Sequence, residues 1–155
     1  MDFSAIDWQR PWLSHVSELG RSLAVAPDWQ AAANTFARER RLTNAAGLPI
    51  VFSPQNLLPK SVGYELHISQ TGQVPTRDNL HDFFNALIWL HFPNSKRVLN
   101  QLQVEEIHRQ SDRTLRGKQR DAATVFDENA AIFISQDPAL TEWLKRRQWK
   151  IGRAH

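Results

Sequence analysis

The segment from Asn79 to Pro93 constrains the fold more than any other. Leu80, Phe83, Phe84, Leu87, Ile88 and Leu90 recur at helical spacing and form a wide apolar stripe, while His81, Asp82 and Asn85 fall on the other side. Asp78 or Asn79 supplies the N-cap, because a short side-chain oxygen accepts from the unpaired amides of a first turn. Pro93 ends the helix, since it has no amide hydrogen and its ring clashes with the turn before it. The spacing thus predicts a helix from Leu80 to about Phe92. Phe83, Phe84, Leu87 and Ile88 are expected at the centre of the core, because so much apolar surface is costly to leave in water.

The remaining sequence can cover that stripe. With 155 residues, 41% hydrophobic and 23% charged, the chain has the length and balance of one globular domain over 1–155. Eight Phe and six Trp argue against disorder. No cysteine is present, which excludes disulfides within the chain, thiolate metal sites and a Cys nucleophile, and leaves His and carboxylates as candidate ligands. The start, Met1-Asp2-Phe3-Ser4, lacks the basic and apolar regions of a signal peptide, and no stretch reaches the length of a membrane span. A cytoplasmic location is expected.

Elsewhere the pattern predicts α+β structure: helix-rich, about five helices, with short strands and a hairpin. Pro11 to Gly20 reads as a short helix, proline opening it and glycine closing it. Asp28 caps a second helix running to about Arg41, with Trp29, Ala32, Ala33, Phe36 and Ala37 inward. Ile50-Val51-Phe52 reads as a strand, and the alternation of Tyr64-Glu65-Leu66-His67-Ile68 as another, with Glu65 and His67 facing solvent. After Pro93, Asn94 or Ser95 starts a helix to about Arg109. Ala123–Phe126 and Ala131–Ile134 read as two strands joined by the turn Asp127-Glu128-Asn129. Asp137-Pro138 caps and opens a last helix to about Trp149, with Leu140, Trp143 and Leu144 inward. Trp8, Trp12 and Trp29 are expected as core anchors of the first helices.

Three polar groups could carry chemistry; one of them, Glu65 with Arg77, reads more simply as solvent-facing surface. His81 and Asn85 stack one turn apart with Asp82 beside them, a set able to pass a proton or bind a metal. The bland alternative is a dipole-favoured first-turn acid beside a polar histidine. Arg120-Asp121 with Asp127-Glu128-Asn129 offers three carboxylates within eight residues, enough oxygen ligands for a divalent cation. Its alternative is a local ion pair followed by a good turn sequence. The net charge of +3 is uneven: residues 1–79 carry seven acidic and seven basic side chains, residues 80–155 nine and twelve. The excess sits in Arg109, Arg113, Arg116, Lys118 and Arg120, then in Lys145, Arg146, Arg147, Lys150 and Arg153. Such clusters either meet phosphates or are simply solvated.

One further run of residues is distinctive. Tyr64-Glu65 is followed by Thr71-Gly72-Gln73-Val74-Pro75-Thr76-Arg77-Asp78-Asn79-Leu80-His81-Asp82-Phe83-Phe84-Asn85-Ala86-Leu87-Ile88-Trp89-Leu90. Then come Phe92-Pro93, Lys96, Leu99-Asn100, Leu102, Arg116-Gly117, Arg120-Asp121, Thr124 and Phe126-Asp127-Glu128-Asn129. In this order they resemble the bacterial family of unknown function designated DUF3025, over roughly residues 7 to 150. The resemblance implies no activity. It places emphasis on His81, Asp82, Asn85, Arg120, Asp121, Asp127, Glu128 and Asn129. It also implies that relatives continue past the helix ending near Trp149, so the chain reads as shortened.

Two functions are expected as rivals. In the first, the chain is a hydrolase-like enzyme on a phosphate or acyl substrate. His81 is general base or metal ligand there, and Asp82, Asn85, Asp121, Asp127 and Glu128 complete the site. A divalent metal would be held by His81, Asp121 and Asp127. In the second, the basic clusters dock on nucleic acid or an acidic protein without catalysis. A shortened chain would also bare apolar surface and favour a homodimer, with Trp143 or Trp149 near the contact.

Overall fold

The computed structural model describes residues 3–109, 118–130 and 133–148. In chain order the described elements are α1 (Ser17–Ala24), α2 (Trp29–Glu39), β1 (Val51–Pro54), α3 (Tyr64–Thr71), β2 (Gln73–Thr76), α4 (Leu80–His91), α5 (Pro93–Arg109), α6 (Lys118–Asn129) and α7 (Pro138–Lys145). The class is helix-rich α+β, with seven α-helices among the described residues rather than about five. No helix among them is long and apolar enough to cross a membrane.

The sheet is a parallel pair, Val51 opposite Gln73, Phe52 opposite Val74, Ser53 opposite Pro75 and Pro54 opposite Thr76. Parallel strands need a crossover, and α3 lies within it. That explains the first correction. Tyr64–Ile68 is helical, not a strand, because Gly63 and Gly72 bracket one helix of eight residues. Gly72 adopts φ +72°, the left-handed stop that glycine takes without steric cost, and any β-carbon there would collide with the Pro49 carbonyl. A side chain finishes the β1 edge. Asn34 of α2 accepts from the Phe52 amide at 2.7 Å and donates to the Phe52 carbonyl at 2.9 Å, standing in for a strand neighbour.

Other expectations shift in detail. Pro11–Leu13 forms a single 3₁₀ turn, and Gly20 lies inside α1 instead of ending it. A side chain at Gly20 would overlap the Trp8 indole, so the glycine serves close approach. Pro93 is itself the first residue of α5. The expected hairpin is α6, whose run from Lys118 includes helix formers such as Gln119, Ala122 and Ala123, and Asp127-Glu128-Asn129 is its last turn. Ala131 and Ile132 lie outside the described residues, and Phe133 and Ile134 are exposed without regular structure. The last helix ends at Lys145, and Trp149 lies outside the described residues.

The core forms around α4. The Phe83 ring stacks on Phe3 at 4.3 Å and meets Trp29 edge-on at 5.3 Å, with Leu87, Trp89 and Leu90 buried beside it. Phe84 and Ile88 are only partly buried and turn toward a cavity. Trp29 is a core anchor, its Nε1 donating to Asp78 at 2.9 Å, and Trp8 packs at the core's edge. Trp12 is instead 71% exposed, with Arg10 over its ring, and Trp143 faces outward as well.

Candidate functional site

A cavity of about 750 Å³ opens between α3, α4, α5 and α6. Its first wall is made by the start of α4. Asn79 accepts from the Asp82 amide at 2.8 Å, which fixes the helix start and puts His81 and Asp82 in the first turn. The Asp82 carboxylate is nearly inaccessible. Its Oδ2 accepts from the Arg77 amide at 2.7 Å and from Arg77 Nε at 3.0 Å, and its Oδ1 from Arg77 Nη2 at 3.1 Å. His81 Nδ1 lies 2.8 Å from the same Oδ1. Burial alone would push the Asp82 carboxyl up, but the hydrogen bonds from Arg77 and His81 outweigh it and hold it below the usual carboxylate range. An ionised Asp82 can only accept, so the neutral His81 ring carries its proton on Nδ1. Nε2 is the basic nitrogen, and it has no partner among the described residues.

One turn further along α4, Asn85 donates from Nδ2 to the Tyr64 hydroxyl at 3.2 Å. Burial raises the Tyr64 phenol above the usual tyrosine range. The Glu65 charge adds to this, the Asn85 hydrogen bond opposes it, and the Asp82 and Asp127 charges add smaller pushes. Glu65 also lines the cavity, accepting from Asn100 at 2.7 Å and Gln103 at 3.3 Å.

The far wall belongs to α5 and α6. Lys96, 8% exposed at its side chain, reaches both oxygens of Asp127 at 2.7 and 2.8 Å. Its ammonium also stands 5.6 Å from the centre of the Trp89 ring, a cation–π arrangement. Thr124, almost one turn before Asp127, lines the same wall.

Of the expected site residues, His81, Asp82, Asn85 and Asp127 line this one cavity. Asp121 sits earlier on α6, exposed and away from the lining. The side chains of Arg120, Glu128 and Asn129 lie outside the described residues. The expected ligand set of His81, Asp121 and Asp127 is not assembled: among the described residues no group of three or more His, Asp or Glu is placed to hold a metal ion. Asp127 is engaged by Lys96 instead.

The cavity also uses residues that the sequence reading passed over or misplaced. Tyr64, Lys96 and Gln103 were not singled out, and Glu65 was expected in solvent. Lys96 and Tyr64-Glu65 did stand in the family-like run, which was the one available signal. His67, also expected in solvent, is buried, and its Nε2 has no hydrogen-bond partner among the described residues.

Only part of each basic cluster lies among the described residues. Arg113, Arg116, Lys150 and Arg153 lie outside the described residues, as do the side chains of Lys118 and Arg120. Arg109 is 3.7 Å from Glu105, while Lys145 and Arg146 are 3.1 and 4.0 Å from Glu142.

Neither the curated proteins nor the solved structures gave a match to this chain. Residues 50–151 do match a family described as a protein of unknown function (DUF3025), and that stretch contains every residue named in the cavity's walls. With most of its length covered, this chain belongs to the DUF3025 family.

Proposed function

We propose that the cavity is the active site of a hydrolase-like enzyme acting on a phosphate or acyl compound, with His81 as general base. One observation carries this reading. His81 Nδ1 is held at 2.8 Å by a carboxylate that is itself clamped by Arg77, which leaves Nε2 basic at the cavity. An acid behind a histidine fixes the tautomer and stabilises the imidazolium that forms when a proton is taken. Asp82 is the positioning residue, and Arg77 positions Asp82. The cavity volume suits a small-molecule substrate.

The test has two parts. The ¹⁵N spectrum of the neutral His81 ring should place its proton on Nδ1. Hydrolysis of a panel of p-nitrophenyl esters and phosphates should fall by roughly 10²–10⁴ in His81→Gln, the usual contribution of a general base. Equal rates in wild type and variant, or no turnover across the panel, would reject the reading.

A second reading, self-association, has one observation in its favour. Val98, Leu99, Leu102 and Phe126 line an apolar groove of about 760 Å³ between α5 and α6. Sedimentation at low micromolar concentration checks it, and a clean monomer rejects a dimer.

A further inference from the structure

The Tyr64 hydroxyl is used on one side only. It accepts from Asn85 Nδ2 at 3.2 Å, and its own proton has no acceptor among the described residues. A phenol in a cavity wall with an unspent donor is built to meet an acceptor that arrives from outside. Asn85 fixes where that donor stands. His81 and Asn85 are i and i+4 on α4, neighbours about 5–6 Å apart at their β-carbons. The base and the hydroxyl that Asn85 holds therefore share one wall of the cavity, about a turn apart. Both line the cavity, so a substrate bound in it can meet His81 Nε2 and the Tyr64 hydroxyl together.

We infer that Tyr64 is a catalytic hydrogen-bond donor to the substrate's carbonyl oxygen, and that the substrate is a neutral ester or amide, an inference that rests on His81 acting as general base.

Two facts choose the acyl compound over a phosphate. Among the described lining residues Glu65, Asp82 and Asp127 outnumber Arg77 and Lys96, a balance that favours a neutral ligand over a dianion. The same carboxylates, together with burial, keep the Tyr64 phenol protonated at any working pH, so it donates and never competes as an anion. A neutral carbonyl adds no charge to that balance. Its oxygen gains charge only as His81 gains a proton, so the cavity's net charge is unchanged during the attack.

The step balances. Water gives a proton to His81 Nε2 as its oxygen bonds to the carbonyl carbon, and the carbonyl π pair moves onto the oxygen held by Tyr64. Collapse restores the carbonyl and breaks the bond to the leaving alkoxide or amine, which takes the proton from His81. Tyr64 keeps its own proton throughout.

The test compares wild type, His81→Gln and Tyr64→Phe on p-nitrophenyl acetate and p-nitrophenyl phosphate. The ester should be turned over and the phosphate not. Tyr64→Phe should lower kcat by roughly 10²–10³, the usual loss for one oxyanion donor, with KM nearly unchanged. Preference for the phosphate, or ester turnover that survives Tyr64→Phe, overturns the inference and leaves His81 standing. Survival in His81→Gln overturns the general-base reading instead. A binding arm on the wild type needs no turnover. N-methylacetamide should shift the Asn85 side-chain amide resonance and inorganic phosphate should not, and Tyr64→Phe should abolish the shift. Phosphate acting in place of the amide, or no shift with either, overturns the assignment of Tyr64.

Discussion

The two walls of the cavity are held by opposite means. On α4 every group that orients His81 comes from the short stretch between Arg77 and Asn85: an N-cap from Asn79, a carboxylate from Asp82, a clamp from Arg77. That wall forms when the helix forms, and the helix is anchored by the core through Phe83 and Leu87. On the far wall, Asp127 is tied to Lys96 across 31 residues of sequence. None of the described side chains of α6 is buried, and its main packing is on α5. The local wall is thus organised by hydrogen bonds within one helix start. In the distant wall, among the described residues, Lys96 holds the Asp127 carboxylate through a contact between two helices. The proton-handling group is thus placed by its local sequence, and the opposite side by a long-range contact.

Breaking the far wall should give the largest effect. Asp127→Ala leaves a nearly inaccessible ammonium without its carboxylate, and since Asp127 itself is 20% exposed the loss should be roughly 3 kcal/mol, the low end for one partner of a buried pair. Urea denaturation measures the loss. The double variant Lys96→Met with Asp127→Leu should recover most of it, because an apolar pair of similar volume carries no unpaired charge. A loss in Asp127→Ala within about 0.5 kcal/mol, the size of an ordinary surface change, would mean that packing on α5 alone holds α6. The contrast between the walls would then fail.

The local wall should give the next effect. Asp82→Asn keeps the shape but removes the charge that accepts from Arg77 and His81, a loss of about 1.5–3 kcal/mol for hydrogen bonds to a charged group. The effect must depend on pH in a fixed direction. The folded Asp82 carboxyl lies below its unfolded value, which is about 3.9. Its contribution is therefore fully present above that unfolded value and is lost as pH falls through the lower folded value. Melting curves of wild type and variant should be well separated at pH 7 and converge in acid. A separation that grows toward low pH would show that Asp82 does not stabilise the fold as a carboxylate.

What the sequence revealed follows the same division. Caps are local, so Asp28, Asp137-Pro138 and the pair Asp78-Asn79, of which Asn79 is the cap, each mark a helix start. His81 and Asp82 were legible as a pair because they are adjacent. Five alternating residues from Tyr64 to Ile68 satisfy a strand period, but Tyr64 and Ile68 are also i and i+4. Glycines at each end decided for a helix, and the misreading sent Glu65 to solvent. Asp127-Glu128-Asn129 suits a turn as well as the last turn of a helix, so the sequence alone does not separate a hairpin from α6. No spacing rule links Lys96 to Asp127, because their contact exists only once α6 folds back along α5. Nor does any spacing rule bring His81, Asp121 and Asp127 together: six residues apart on α6, Asp127 lines the cavity and Asp121 does not, and the described residues assemble no such ligand group.

The smallest effect compares two caps of similar geometry. Asn79 accepts from the Asp82 amide at 2.8 Å and Asp137 from the Ala139 amide at 2.9 Å. Replacing either by alanine removes one N-cap, typically about 1 kcal/mol of helix stability. The helices differ in what they bury. α4 carries Phe83, Ala86, Leu87, Trp89 and Leu90 in the core, whereas α7 has no buried residue. Asn79→Ala should therefore lower global stability by close to the full cap value. Asp137→Ala should leave the global transition nearly unmoved and speed amide exchange only along α7, because an element that buries little can open by itself. Asn79→Ala also leaves the Asp82 amide without its acceptor at the point where the carboxylate is clamped, so the His81 ring resonances should move with the stability. If the two caps cost the same globally, α7 unfolds with the core. If the His81 resonances stay fixed in Asn79→Ala, the clamp from Arg77 alone sets the histidine, and the helix start contributes only its stability.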